Sequence, residues 1–413
     1  KSKFVTPNRV QRNLNLLQTT SPSYILMASL DCARRQIALH GEVLLNKAIE
    51  SNSNLKSSEI EIDLVKEKGS ILTRFNNPKI EHNYANYKVK AQINKDNGYG
   101  VSLTQKIVPW NVANDKTRLS ETTIKNEVDK YNLDKQEFIK ELSIKYTIYA
   151  KNKKFFNVIK ESEDIANKVY DISNQQYKVG AISKAELLQS EIELMDIKKK
   201  KDELNLEIMN TYYDLIRFSG IDQEIHFNLE SDYKFKITKS INLEKNPFIN
   251  SEESKKDMLL AEAKLDSNII DSFDLIYSYS EEPDQIVNQV GISLPLPIFN
   301  IKSEEGKIAK LEAMKMNLLV NKEKQQALME YEKLVKERVL LEDLKKKNET
   351  VLKLQLDALE ISMEKLKMFK ISIFDIQNSK IKLIQTMTDI INIETALNQN
   401  AISINYIQGE HND

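Results

Sequence analysis

The chain has 413 residues, 60 basic against 61 acidic side chains, and 29% charged residues. So even a balance leaves no global field to attract nucleic acid or an acidic partner. Only 9 Gly and 8 Pro punctuate this length, and with abundant Lys, Glu, Leu, Ile and Asn that composition predicts long helices with solvated faces.

The single cysteine, Cys32, excludes an intrachain disulfide and cysteine-ligated metal sites. No run of about 18 apolar residues exists, so no transmembrane helix is expected. The first residues, KSKFVTPNRVQRN, are basic and polar, and the apolar run Tyr24–Leu30 is short and stops at Asp31. No signal peptide is therefore expected there.

From residue 48 onward the chain repeats itself. KVGAISKAELLQSEIEL (Lys178–Leu194) aligns with KMFKISIFDIQNSKIKL (Lys367–Leu383): Ser183 meets Ser372 and Glu186 meets Asp375. YGVSLTQKI aligns with VGISLPLPI upstream, and ESNSNLKSSE resembles EKNPFINSEE earlier still. Matching blocks in one order mark a tandem duplication.

Each copy has the same internal order. A short helix is predicted over 52–72 and again over 248–271. A pair of strands follows, IEHNYANYKVKA with GYGVSLTQKI, then FDLIYSYS with VGISLPLPI. The first pair is expected to turn at Asp96, Asn97 and Gly98, the second at EEPDQ. Val101, Leu103, Gln105 and Ile107 alternate onto one face, as do Phe273, Leu275, Tyr277 and Tyr279. Pro295 and Pro297 suit a strand end better than a central ladder.

Two very long helices come next in each copy. Residues 112–178 and 302–367 contain no Pro and almost no Gly, and about 65 helical residues would span near 100 Å. Leu352, Leu356, Leu359, Met363 and Leu366 keep 4-3-4-3 steps, and the returning helix carries Leu187, Leu194, Ile197, Leu204, Ile208 and Leu215 in the same register. Such stripes read as packing seams. At the hairpin tips Gly180 supplies a tight turn, while Ser183 with Glu186 and Ser372 with Asp375 form capping boxes. Phe369 stands where Gly180 stands in the first copy, so the second tip is expected to turn differently.

These blocks carry a family resemblance. SLTQKI, ISLPLPIFN followed by GKIAKLEA, YKVGAISKAELLQSEIEL and the terminal YIQG are similar to the TolC-type outer-membrane efflux factors over residues 48–410. The resemblance implies a mainly α fold with a small β part: duplicated long helical hairpins forming a coiled tunnel in the periplasm, and four strands per chain. Three chains would close a 12-stranded barrel, because an open edge cannot survive in lipid. It implies residues 48–220 and 247–410 as the two repeats, with 221–246 linking them along the outside of the tunnel.

It implies a homotrimer that works with a periplasmic adaptor and an inner-membrane pump, as the passive conduit of a tripartite efflux or type I secretion system. The tips Val179, Gly180 and Ser183, with Met368 and Ser372, would meet the adaptor. Asp375 and Asn378 would line the periplasmic constriction of the pore; capping alone is the other reading of Asp375.

The opening segment Arg9–Leu45 is instead similar to the ornithine/lysine/arginine decarboxylases, which use pyridoxal phosphate. In that family the segment follows the cofactor lysine in a Ser-x-His-Lys context, and no His-Lys dipeptide exists in this chain. Residues 1–47 are thus expected to be a non-functional fragment, from a gene fusion or a joining error, standing where an export signal would be. No HExxH, CxxC, phosphate loop or nucleophile elbow accompanies the scattered histidines His40, His82, His226 and His411. No catalytic, cofactor or metal site is expected. A periplasmic coiled-coil adaptor is the alternative to the channel, and a decarboxylase fragment ranks third.

Overall fold

The computed structural model describes residues 44–88, 95–221, 234–237, 243–296, 303–368 and 370–409. After a helical stretch at 44–51, the elements run α1 (Ser53–Thr73), β1 (Lys79–Lys88), β2 (Lys95–Ile107), α2 (Trp110–Lys178) and α3 (Lys184–Ser219). The second half repeats them as α4 (Pro247–Asp266), β3 (Phe273–Glu281), β4 (Ile286–Ser293), α5 (Ser303–Lys367) and α6 (Ile373–Gln408).

The chain forms two compact units, whose boundary falls inside α2 and α5. The sheet unit comprises Asn54–Gln136 and Asn242–Glu330; the helical unit comprises the described parts of Lys1–Ser53, Glu137–Ile241 and Tyr331–Asp413. Each unit draws on both sequence repeats.

In the sheet unit, α1 buries Leu55, Ile62 and Val65. Gly69 lets it approach α2 closely: a Cβ there would lie 2.1 Å from Ser120 Oγ. Asn246 caps α4 by accepting from the Ile249 N–H at 2.9 Å, and Pro247 opens the helix. Proline suits that first position, where its missing N–H would have had no partner. Asn268, just beyond α4, accepts from Asn111 Nδ2 at 2.9 Å and donates to Asp115 at 2.8 Å, tying this corner to the start of α2.

All four strands form one antiparallel sheet in the order β1-β2-β3-β4. The expected alternation holds. Val101, Leu103, Gln105 and Ile107 are the direct partners of Tyr279, Tyr277, Leu275 and Phe273, so the two predicted stripes share one face.

Two boundaries differ from expectation. Asp96, Asn97 and Gly98 are not a turn; they belong to β2, opposite Tyr87, Asn86 and Ala85. Gly98 serves the ladder because a Cβ there would stand 2.7 Å from the Tyr87 ring and 2.8 Å from the Glu281 carbonyl. Residues 89–94, between the two strands, lie outside the described residues. In the second hairpin the turn is where EEPDQ predicts it, closed by the Glu282 N–H on the Gln285 carbonyl at 2.8 Å. There β4 begins earlier than predicted, at Ile286, and ends at Ser293, just short of Pro295. Pro297 lies outside the described residues.

The helical unit has an ordinary apolar interior. Val169 of α2, Leu359 and Leu366 of α5, and Ile373, Ile376 and Leu383 of α6 form one buried cluster, against which Leu352 and Met363 pack. The predicted seam on α5 is thus the intramolecular one, except that Leu356 remains 44% exposed. On α3, Leu194, Ile197 and Leu215 are buried as predicted. Each such side chain contributes about 1.5–3 kcal/mol through removal from water.

Charged and polar groups cross-link the helices of this unit. Glu394 of α6 accepts from Lys154 of α2 at 2.6 Å and from Lys345 of α5 at 2.7 Å. Burial alone would raise the Glu394 carboxyl, but the two lysines outweigh it and hold it below the usual carboxylate range. Asn400 donates to the Leu334 carbonyl at 2.9 Å, and Gln176 to the Leu366 carbonyl at 2.8 Å. Of the segment joining the repeats, residues 234–237 are held to α6 by the Asn405 amide, which donates to the Lys236 carbonyl at 2.8 Å.

Candidate functional site

Within the sheet unit, the functional feature is the sheet itself. Because side chains alternate with period two, cross-strand partners line up in rows on opposite faces. Ile80, Leu103, Tyr277 and Val290 make one row across all four strands; Glu81, Ser102, Ser278 and Gln289 make the adjacent row on the other face. Among the described residues nothing covers the apolar face. Ile80 is 71% exposed, Val290 81% and Ile292 64%, with Tyr84, Tyr99 and Leu275 also exposed.

The sheet therefore has the reverse of the usual arrangement, an outward apolar face and a second face rich in Ser, Thr, Asn and charge. Its strands have 8 to 13 residues, close to the 9–11 that a tilted strand needs to cross a bilayer. Strands β1 and β4 are its edges, each hydrogen-bonded along one side only.

The sequence exposed half of this face. Alternation in β2 and β3 was legible; the contributions of Ile80, Tyr84, Ile286 and Val290 had the same period-two signal but needed the register to be placed beside them.

Within the helical unit, each hairpin tip leads into a helix capped by serine. Helix α2 ends with Gly180 in the left-handed conformation, φ +74°. The Gly180 N–H donates to the Tyr177 carbonyl and the Ala181 N–H to the Gln176 carbonyl, each at 2.9 Å, the two bonds of a Schellman ending. Ser183 then caps α3. Its N–H donates to Glu186 at 2.8 Å, and its hydroxyl accepts from the Glu186 N–H at 3.3 Å. The Ser183 N–H, with its hydroxyl, holds the Glu186 carboxyl below its ordinary range.

At the second tip one hydrogen bond of the first is repeated. The Lys370 N–H donates to the Lys365 carbonyl at 2.9 Å, the counterpart of the Ala181 bond. Ser372 accepts from the Phe374 N–H at 3.2 Å, and its own N–H donates to Asp375 at 3.2 Å. Phe369 itself lies outside the described residues.

The tips also lie together: Ile182 of one and Ile371 of the other pack on the same buried cluster. Val179 and Met368, at equivalent positions, are 73% and 60% exposed. Asp375 and Asn378 are exposed and three residues apart on α6, so they share a side of the helix.

One residue here was missed. Lys380 occupies an apolar seam position of α6, between Ile376 and Leu383, and is buried with its ammonium paired to Glu193 of α3. A lysine in a 4-3 stripe was the available signal; its partner on another helix was not.

Solved structures that resemble this chain include outer-membrane channels. CmeC of Campylobacter jejuni superposes with a TM-score of 0.70 at 18% identity, covering 90% of this chain and 85% of that one. VceC of Vibrio cholerae gives 0.75 at 12% identity, with 91% and 97% covered. The open-state MtrE channel of Neisseria gonorrhoeae gives 0.72 at 12%, with 89% and 88% covered. The fold is that of TolC-type channels. At these identities the likeness is one of fold.

A family model for the major domain of Orn/Lys/Arg decarboxylases matches residues 1–96. The arginine decarboxylase of Bacillus anthracis is 36% identical over 63 residues, which is 15% of this chain and 13% of that enzyme. The chain thus spans about an eighth of the curated relative it matches. The family match runs past residue 47 and over α1 and β1, which belong here to the channel-like fold. Among the described residues no helix is long and apolar enough to cross a membrane, which says nothing of a span built from strands.

Proposed function

We propose that this chain is one subunit of a homotrimeric outer-membrane channel, the passive conduit of a tripartite efflux or type I secretion system. The observation that carries this reading is the outward apolar face of a sheet with two open edges. Such a face is at home only against lipid, and in lipid each unpaired edge group costs several kcal/mol. Four strands are too few to close a barrel; three copies supply twelve. The polar face of Ser102, Ser278 and Gln289 would then line a water-filled bore.

On this reading the helical unit stands in the periplasm and its tips meet an adaptor, which links the channel to an inner-membrane pump. The equivalent exposed side chains Val179 and Met368, beside Gly180, Ser183 and Ser372, support that role. Three copies of Asp375 and Asn378 would ring the pore, where carboxylates favour cations. The conduit needs no cofactor and no catalytic group. The two repeats, 48–220 and 247–410, each supply one strand pair and one hairpin, joined by 221–246, while 1–47 takes no part.

The experiment is to express the chain behind a working export signal, extract it in detergent and record in planar bilayers. A trimer with stable ion conductance is expected, and Asp375→Ala should raise resting conductance or change cation block. A water-soluble monomer without conductance would sink the reading and leave the periplasmic adaptor in its place. The decarboxylase reading rests on the match over 1–96; pyridoxal phosphate absorbance from the purified protein would revive it.

A further inference from the structure

The polar face of the sheet carries its charges in opposite-sign pairs. At the start of β1, Lys79 and Glu81 stand two residues apart on that face, and the Lys79 ammonium meets the Glu81 carboxylate. Near the end of β2, Lys106 stands directly opposite Asp274 of β3, a placement that brings the two Cβ atoms to about 5 Å. The four rows from Lys106 and Asp274 up to Asn83, Gly100 and Ser280 hold no other charged residue. Their remaining members are Ser, Thr, Asn, Gln, Gly, Ile or Val, so two bases face two acids.

Stability does not account for this arrangement. The Lys79 side chain is 71% exposed and that of Glu81 46%, and exposed ion pairs contribute little to folding. Their consequence is a field, or the lack of one. Like charges repeated around a pore select ions by sign: three copies of Glu81 alone would make a ring of carboxylates, and three of Lys106 a ring of ammonium groups. Pairing cancels each ring at its source. The members of a pair are closer together than the screening length of about 10 Å at 0.1 M salt, so a solute farther away meets almost no net field. Successive rows on one face lie about 7 Å apart along a strand, which confines all four charges to two row spacings.

We propose that Lys79 with Glu81 and Lys106 with Asp274 form a charge-compensated collar, which makes the polar face of the sheet indifferent to the sign of a solute's charge. The proposal rests on the channel reading and deepens it by naming the cargo that the strand-built part of the conduit admits: soluble molecules of either sign. Any preference for cations is then left to carboxylates elsewhere, Asp375 first among them. Lys79 and Lys106 determine specificity in this sense. Removing either one exposes its partner carboxylate, and three exposed carboxylates would turn the collar cation-selective.

Local reaction rates test it. In the detergent-extracted full chain with Cys32→Ser as background, Ser278→Cys places a thiol in the row of Glu81. Its rate with a cationic methanethiosulfonate is divided by its rate with an anionic one, relative to the same ratio for free mercaptoethanol. With the collar intact this quotient should stay within about twofold of unity. Lys79→Gln should raise it about threefold or more, Glu81→Gln should lower it as much, and the two together should return it to the parent value. Lys79→Arg keeps the charge and should change nothing. The shifts should fade at about 1 M salt, where the screening length falls to about 3 Å. A parent quotient far from unity, or single variants that shift nothing, would overturn the collar. So would shifts that persist at high salt, which mark a change of shape rather than of field. Planar-bilayer recording separates this from the channel reading: stable conductance without the rate shifts removes the collar and leaves the channel standing, whereas no conductance from the parent overturns both. Where the parent conducts, Lys79→Gln should also move the reversal potential in a salt gradient toward cations.

Discussion

In the helical unit Ile376, Leu383 and Leu366 turn inward onto one another, as in any water-soluble bundle. In the sheet unit the row Ile80, Leu103, Tyr277 and Val290 turns away from all protein, and the serines take the other side. The same hydrophobic effect produces both arrangements; what differs is the medium that each surface is shaped to meet. An apolar residue in the first unit stabilises by leaving water for protein; in the second, on the channel reading proposed above, it would do so by leaving water for lipid.

Substitutions can break this comparison, taken from the largest expected effect downward. Ile376→Ala, at a fully buried site, should cost about 2–5 kcal/mol, read as a lowered midpoint in denaturant followed by helical circular dichroism. An unchanged midpoint would show that this cluster is not the core of the unit. Leu103→Arg on the apolar sheet face should cost about 2–4 kcal/mol of insertion into lipid and leave the helical midpoint alone. Ser102→Arg, one residue away on the polar face, should insert nearly normally. Equal losses from both would mean that the sheet does not separate lipid from water.

Glu394→Gln probes the polar cross-link of the helical unit and should cost about 2 kcal/mol, the weight of charge-assisted hydrogen bonds. The sign of its pH dependence follows from a carboxyl held low in the folded state. Its contribution is fully present above the ordinary carboxylate value of 4.5 and is lost as pH falls through the folded value. Thermal midpoints should therefore drop on acidification in the parent and less so in Glu394→Gln; parallel curves would remove the group from the linkage. The smallest effects belong to the tips. Ser183→Ala and Ser372→Ala should each cost about 1 kcal/mol, by equal amounts if the two caps are equivalent, and hydrogen exchange of the Glu186 and Phe374 amides would report them separately.

Much of this was legible because it is periodic or local. Period two in Val101–Ile107, heptads in Leu352–Leu366, and Ser-x-x-Glu and Ser-x-x-Asp at the tips depend on neighbours a few residues away. Asp96-Asn97-Gly98 misled for the same reason: the tripeptide has turn chemistry, but Tyr87 across the ladder needed the space that Gly98 leaves. At the second tip the expectation of a different turn rests on Phe369, which lies outside the described residues.

The sequence by itself determined the duplication, the lengths of the helices and the alternation of the strands, since spacing along one chain sets each of them. Only the tertiary structure decided which apolar side chains of α3 and α5 are buried and which lie open, since a helix that is apolar on more than one side does not say which one its own neighbours will cover. Tertiary structure alone also joined Lys154, Lys345 and Glu394, and Lys380 with Glu193, because a charge pair is set by distance in space and its members lie on separate helices. Pairing register, finally, gathered rows from four strands into one outward apolar face, and that sum over strands is what turns alternating residues into a surface fit for lipid.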